Sequence, residues 1–361
     1  MKRILFIAIN LNSGGAERQM VSLACALKKH GHDVNVLCYA RGDFFLSDLE
    51  SNGIEVTWLI NDKTLLRLFS VRRFIRNRQF DAVISFLETP NILNIFSSFG
   101  RRSWKVITGE RSSKIENLLS FRGRIIAYMQ RYSDAIVCNS ENAADMWRYY
   151  YPGLEKKISV IYNMVNVPNG NCLEMNNNVS NNSIRLVVAA SYQALKNPAN
   201  VIKAISLLDD EEKRRFSLDW FGSADANLSV YEECVRLVME LKLNDIVHLN
   251  GPTKQIYQEM ASADYVGLFS NVEGLPNAIC EAMAMGKPII MTKVSDFSKL
   301  VDGNGFLCDA DDVISIRNIF KNILSITDAQ RKTMGEISRK LAVQLFDRDV
   351  IINKWQSLIM K

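Results

Sequence analysis

Residues 270–290, Ser-Asn-Val-Glu-Gly-Leu-Pro-Asn-Ala-Ile-Cys-Glu-Ala-Met-Ala-Met-Gly-Lys-Pro-Ile-Ile, read locally as strand, tight loop, helix and strand. An apolar run ends at Phe269 and meets a Gly-Leu-Pro turn. Small and helix-forming residues follow from Asn277 to Met285, Gly286 stops them, and Pro288-Ile289-Ile290 opens another strand. Glu273 precedes the helix and Glu281 lies inside it. Between them the N–H groups around Gly274, Leu275 and Asn277, beside Pro276, form an anion site at a helix N-terminus. A ligand with hydroxyls at both ends and a diphosphate in the middle satisfies all three features, and nucleotide sugars have that shape.

The pattern Ser-Asn-x-Glu-Gly-Leu-Pro-Asn-x-x-x-Glu-Ala-Met-Ala-x-Gly-x-Pro-Ile, with its Glu-x7-Glu, resembles the donor-binding signature of retaining glycosyltransferases of family 4. The resemblance implies the α/β GT-B fold: two Rossmann-like doubly wound domains facing a central cleft. It extends to Ser191-Tyr192-Gln193-Ala194-Leu195-Lys196-Asn197, where Lys196 stands at the diphosphate-binding lysine and Ser191 replaces the usual arginine. It also covers Gly14-Gly15-Ala16-Glu17-Arg18 near the N-terminus, a loop that faces the other domain in many members.

The remaining chain alternates strands with helices, as a doubly wound sheet requires. Strands are expected at Arg3 to Ile9, Val34 to Cys38, Glu55 to Leu59, Ala82 to Phe86, Trp104 to Thr108, Ala135 to Asn139 and Ile158 to Tyr162. A second series is expected at Arg185 to Ala190, Leu218 to Phe221, Ile246 to Asn250, Tyr265 to Phe269 and Pro288 to Met291. Asp302 to Gly305 reads as a turn. Residues 163–183 are polar and rich in turn formers, so the domains are placed at 1–165 and 184–345, with a linker at 166–183. The amphipathic segment 346–361 returns, by resemblance, to the first domain. Glycines 14 and 15 follow the first strand without a Gly-x-Gly-x-x-Gly fingerprint, so no dinucleotide cofactor is expected.

Binding loops belong at strand C-termini. On the first domain these nominate Gly14, Gly15, Glu17, Arg18, Glu88, Glu110 and Arg111 for the acceptor. Glu110 and Arg111 are read as loop residues, with a structural salt bridge as the alternative. On the second domain Ser191, Lys196, Gly222, Gly251, Glu273, Gly274, Leu275, Pro276, Asn277 and Glu281 are nominated for the donor, with Gly15 from the first. Gly222 and Gly251 are expected to let backbone approach the nucleotide base. Glu273, Lys196 and Arg111 are the catalytic nominees.

Three histidines bound the mechanism. His30 and His32 flank Gly31 at a helix C-terminus, and His248 lies in a strand of the second half, so the histidine found in many relatives near Glu110 is missing. By resemblance, a donor phosphate oxygen then takes the acceptor proton. Neither metal nor other cofactor is expected. Asp309, Asp311, Asp347 and Asp349 are read as helix N-cap and first-turn acids. The seven cysteines, Cys172 among them, are scattered without Cys-x-x-Cys spacing and are read as core fillers.

No apolar run approaches the ~18 residues of a membrane span, and Met-Lys-Arg leads directly into a strand, so a cytoplasmic protein is expected. Residues 1–180 hold 23 Lys and Arg against 16 Asp and Glu, and residues 181–361 hold 21 against 23. The basic half carries helical stretches with Arg67, Arg72, Arg73, Arg76 and Arg78, and with Arg122, Arg124 and Arg131. Two readings stand: helices lying on an anionic inner-membrane surface, and helices packed on the sheet with a solvated basic face. No nucleic-acid motif accompanies the charge. The resemblance implies transfer of a hexosyl or N-acetylhexosaminyl group from a nucleotide sugar, a UDP-sugar first, to a glycan. A lipid-linked oligosaccharide of O-antigen or capsule assembly is the acceptor it implies. A nucleotide-sugar 2-epimerase and a silent scaffold on the same fold are the alternatives.

Overall fold

The computed structural model describes residues 1–12, 14–165, 183–225 and 227–360. Of the linker expected at 166–183, residues 166–182, Cys172 among them, lie outside the described residues. The chain forms two compact units, Met1–Met164 with Asp347–Lys361, and Val165–Phe346.

The first unit is built on a seven-stranded parallel sheet in the order β3-β2-β1-β4-β5-β6-β7. Its strands are β1 (Arg3–Ala8), β2 (Asp33–Cys38), β3 (Glu55–Trp58), β4 (Ala82–Phe86), β5 (Lys105–Glu110), β6 (Ala135–Cys138) and β7 (Ile158–Val160). Ile4, Leu5, Phe6 and Ile7 are all fully buried, which is why β1 reads as a continuous apolar run. Strand order reverses after β3. The crossovers before that point and those after it therefore cover opposite faces, given right-handed connections. The helices Thr64–Arg76, Glu88–Ser97 and Phe121–Met129 share one of these faces. Fully buried Asn94 locks the middle helix down, donating to the carbonyls of Val83 (3.0 Å) and Ile107 (3.3 Å) on adjacent strands.

In the same unit the helix Arg348–Met360 places buried Trp355 against Phe86, ring centroids 6.0 Å apart. Gln356 meets the His32 ring at 3.2 Å. Asp347 caps this helix by accepting from Val350 N at 2.8 Å. His30 closes the helix Gly15–Lys29, its Nδ1 2.9 Å from the Ala26 carbonyl, and Gly31 turns the chain at φ +83°.

The second unit has a six-stranded parallel sheet in the order β10-β9-β8-β11-β12-β13. The strands are β8 (Ile184–Ala189), β9 (Phe216–Phe221), β10 (Val247–Asn250), β11 (Tyr265–Leu268), β12 (Ile289–Thr292) and β13 (Gly305–Cys308). Its core stacks Trp220 and Tyr192, and packs Phe216 and Phe269 on Phe320.

Strand β13 was not expected, and the turn placed at 302–305 ends one residue earlier, because Gly305 already pairs with Ile289. Its four residues are too short for an alternation to register. Fully buried Asn304 closes the preceding turn, accepting from Asp302 N at 2.8 Å and donating to Leu300 O at 3.0 Å. Neither Asp309 nor Asp311 caps a helix. Asp312 does, accepting from Ile314 N and Ser315 N, while Asp309 pairs with Lys293 and Asp311 accepts from Asn271. Of the described cysteines, Cys38, Cys138, Cys234, Cys280 and Cys308 are buried, Cys25 is half-buried, and all are free.

Candidate functional site

In an open parallel sheet, loops on either side of the point where strand order reverses part and leave a crevice. In the second unit that point lies between β8 and β11. Lys196 ends the short helical turn Ala194–Lys196 after β8, and Glu273 follows β11. Their side chains meet, Lys196 Nζ lying 2.5 Å from Glu273 Oε1, with 20% and 13% of each exposed. Ser270 Oγ donates to the same carboxylate oxygen at 2.7 Å. Asn271 N donates to Leu195 O at 2.8 Å, joining the two loops directly.

Three further contacts fix the loop. Buried Thr292 gives its hydroxyl to Ser270 O at 2.6 Å, and buried Ser295 gives its own to Gly274 O. Asn197 Nδ2 donates to Ala310 O at 2.6 Å. Asn197 and Ser295 hold left-handed backbones, φ +64° and +57°, which cost side-chain-bearing residues of order 1–3 kcal/mol each. Strain is therefore held on both sides of the Lys196–Glu273 pair.

Leu275 is buried, and the helix Asn277–Ala284 starts after Pro276, whose own side chain makes no cap hydrogen bond. Glu281 is only 5% exposed, between buried Cys280 and Ala282. Burial first, then the carboxylates of Glu281, Asp296 and Glu273, push the Cys280 thiol well above its ordinary range. The site thus joins a cluster of carboxylates, a lysine and a helix start. Carboxylates accept from sugar hydroxyls, and the cation with the N–H groups suits a diphosphate.

Ser191 lies between two anchored residues. The Trp220 indole donates to Ala190 O at 2.7 Å, and the Tyr192 hydroxyl sits 3.1 Å from Trp220 O and 3.0 Å from Asn250 O. Gly222 has a packing role. A Cβ there would stand 1.9 Å from Ala190 O, so its missing side chain lets the ends of β8 and β9 close up. A Cβ at Gly251 would meet nothing within 4 Å.

In the first unit, strand order reverses between β1 and β4, and the remaining nominees gather around that point. Exposed Gly15 opens the helix after β1, half-buried Arg18 follows on it, and the Glu17 carboxylate folds over Gly14, where a Cβ would stand 2.0 Å from its Oε2. Glu17 therefore occupies its own helix N-terminus, and burial pushes its pKa up. Beyond β4, Leu87 is held at φ +72° and Glu88 pairs with Arg122.

Thr108, Gly109 and Glu110 are the last residues of β5, not a loop. Glu110 Oε1 accepts from the N–H groups of Arg111 (3.0 Å) and Ser112 (3.3 Å), and burial raises its pKa. Arg111 lies 3.6 Å above the Phe86 ring and donates from Nη1 to buried Asn163 at 2.7 Å. Burial pushes the guanidinium down to about 10. Among the described residues, stacking and Asn163 hold Arg111, in place of a salt bridge to Glu110.

Sequence reasoning did not single out Ser270, Thr292, Ser295 or Asp296. The β11–β12 register, Val266 to Ile289, is what carries Thr292 and Ser295 to the Ser270–Gly274 loop. A hydroxyl on a neighbouring strand leaves no local signal. Among the described residues no group of three His, Cys, Asp or Glu could hold a metal.

Residues 13–168 match the family model Glycosyltransferase Family 4, and residues 183–325 match Glycosyl transferases group 1. Among curated relatives is a Campylobacter jejuni GalNAc-alpha-(1->4)-GalNAc-alpha-(1->3)-diNAcBac-PP-undecaprenol alpha-1,4-N-acetyl-D-galactosaminyltransferase, 23% identical over 99% of this chain and 98% of its own. Another is the capsular polysaccharide biosynthesis glycosyltransferase CapH of Staphylococcus aureus, 22% identical over 83% and 84%. Among solved structures, Anabaena Alr3699/HepE in complex with UDP and glucose superposes with a TM-score of 0.86 at 20% identity over the full length of both chains. The fold is a two-domain α/β GT-B fold.

Proposed function

The chain belongs to the glycosyltransferases of family 4, and from that premise we propose that it transfers a sugar, with retention, from a UDP-sugar to a lipid-linked oligosaccharide. The observation that carries the reading is the Lys196–Glu273–Ser270 cluster at the switch point of the second unit, beside the start of the helix Asn277–Ala284. Before the donor arrives, Lys196 and Glu273 satisfy one another. The diphosphate then competes for Lys196, and Glu273 is released to accept from a sugar hydroxyl. Glu281 accepts from the ribose hydroxyls.

During transfer the C1–O bond to the diphosphate breaks while the acceptor oxygen bonds to C1 on the same face. The acceptor proton passes to the departing phosphate oxygen. Lys196 and the N–H groups near Asn277 stabilise the charge that develops on UDP, and a preorganised site does so without reorganisation. Arg111, fixed on Phe86 and Asn163, is a rigid cation of the first unit proposed to act on the acceptor. The relative's undecaprenol-linked substrate and CapH's capsular role support a polysaccharide-assembly acceptor.

The test offers UDP-sugars with undecaprenyl-diphosphate-linked oligosaccharides and reads acceptor mass. A gain of one hexose or N-acetylhexosamine, abolished by Glu281→Ala, is expected. Epimerisation of the donor without any acceptor gain would overturn the reading.

A further inference from the structure

We propose that Phe86 is a positioning residue for the transfer reaction: its ring seats the Arg111 guanidinium without neutralising it, leaving the whole positive charge to the acceptor. The inference rests on the reading that Arg111 acts on the acceptor. It adds why an aromatic ring, and no carboxylate, holds that cation.

The seat is built from the sheet. Phe86 ends β4 and stands opposite Gly109 on β5, two residues before Arg111. Side chains two apart on a strand share a face, so positions 109 and 111 look the same way. A Cβ at Gly109 would stand 2.4 Å from Phe86 Cδ1, and the bare glycine therefore lets the ring lean across β5. Ser85 Oγ donates to Asn91 Oδ1 at 2.8 Å, and Asn91 Nδ2 donates to Gly109 O at 3.1 Å. These buried contacts fix both strands beside the ring. Trp355 packs on Phe86 from the helix Arg348–Met360, and only 4% of Phe86 is exposed.

Arg111 Cζ lies 3.6 Å from the centroid of that ring. Among the described residues the next shortest such contact is Arg78 on Phe74, at 4.2 Å. The rim atoms of a ring keep an in-plane neighbour farther off, so the guanidinium lies over the face, which is the negative side of the quadrupole. That face attracts a cation yet carries no net charge.

The other neighbours leave the charge standing as well. Glu110, the carboxylate adjacent in sequence, spends Oε1 on the N–H groups of Arg111 and Ser112. Asn163 Oδ1, which accepts from Nη1, belongs to a neutral amide. Among the described residues Arg111 has no ion pair with a carboxylate, and its buried Nε has no hydrogen-bond partner. Burial lowers the guanidinium to about 10, which still leaves it charged at neutral pH. An uncompensated cation with an idle N–H costs a folded chain stability, and groups of this kind gather at functional sites. A carboxylate partner would hold Arg111 equally well but would cancel the field that attracts an acceptor oxygen.

The experiment has two arms. Arginine Nε–Hε spectra of the isotope-labelled full chain, with the Arg111 signal assigned by its loss in Arg111→Lys, read the seat. A ring-current upfield shift of that signal is expected in the parent, and its disappearance in Phe86→Leu. Transfer kinetics with UDP-sugars and undecaprenyl-diphosphate-linked oligosaccharides read the charge. Phe86→Leu should raise the acceptor KM about tenfold, and so should Asn163→Asp, which is isosteric and holds Arg111 at least as tightly through an ion pair. Donor KM and UDP affinity should match the parent in both variants. A merely structural seat predicts an unchanged acceptor KM for Asn163→Asp. Should Phe86→Leu fail to fold, Asn163→Asp and the ring shift of the parent decide the matter. An unshifted Arg111 signal in the parent overturns the proposal whatever the activity. So does an unchanged acceptor KM in folded Phe86→Leu or Asn163→Asp, and so does a loss of UDP affinity in either, which would assign the cation to the donor. If the parent transfers to no acceptor, the underlying reading falls and this one with it. A working parent with indifferent variants fells this proposal alone.

Discussion

Replacing Lys196 by Ala should reveal two separable effects. Without the ammonium, Glu273 keeps the Ser270 hydroxyl but loses its ion partner in a site where only 13% of its side chain is exposed. A hydrogen bond to a charged group contributes about 1.5–3 kcal/mol when partly buried, less where water reaches the pair, so a loss of about 1–2 kcal/mol is expected. For a unit of about 180 residues, each kcal/mol moves the melting temperature by about 2–4 °C. The unliganded variant should therefore melt roughly 2–8 °C lower.

The second effect concerns UDP. If Lys196 holds the diphosphate through one charge-assisted contact, its loss should weaken UDP binding by about 10- to 150-fold. Titration calorimetry on parent, Lys196→Ala and Lys196→Arg reads this directly, with Lys196→Arg retaining most of the affinity. Unchanged UDP affinity in a folded Lys196→Ala protein would refute the assignment, whatever the melting temperature does.

Gly222→Ala should destabilise the chain by about 1–3 kcal/mol, because the added Cβ strikes the Ala190 carbonyl and backbone must shift. Gly251→Ala, in open space, should melt within a degree or two of the parent, and equal effects at both positions would contradict the packing account. Glu110 is raised by burial, so its contribution to stability is fully present below its ordinary value of 4.5 and is lost as pH rises through the folded value. Glu110→Gln should accordingly melt higher than the parent at pH 7, with the gain shrinking as pH falls through the raised folded value and gone below pH 4.5 in a series of melts; a pH-independent gain would contradict this. Ser295→Ala removes the hydroxyl that holds Gly274 O, and turnover should fall several-fold with UDP affinity nearly kept; unchanged turnover would show that the loop holds its shape without it.

Much of the fold was legible because both sheets are parallel and covered on two faces. Their strands appear as continuous apolar runs, such as Ile4 to Ile7 and Val187-Val188, separated by amphipathic stretches. Gly305–Cys308 escaped notice because four residues after a polar turn carry no period. Three aspartates at 309, 311 and 312 all sit where a cap could be, and only backbone geometry selects Asp312. The Ser270–Ile290 signature nominated Glu273 and Glu281, yet the ion pair to Lys196 spans 77 residues and exists because β8 and β11 are neighbours. Arg111 illustrates the reverse limit. Its charge was visible in the sequence, whereas Phe86 and Asn163, which hold it, are brought together by the sheet.

The central claim is that this chain activates a nucleotide sugar with retention. Proton NMR of UDP-glucose, UDP-galactose and their N-acetyl forms, incubated with the protein and no acceptor, tests it most directly. Slow hydrolysis of one donor is predicted, releasing the α-anomer first and vanishing in Glu281→Ala. Intact donors with no line broadening across the panel, or a β-anomer formed first, would contradict the account.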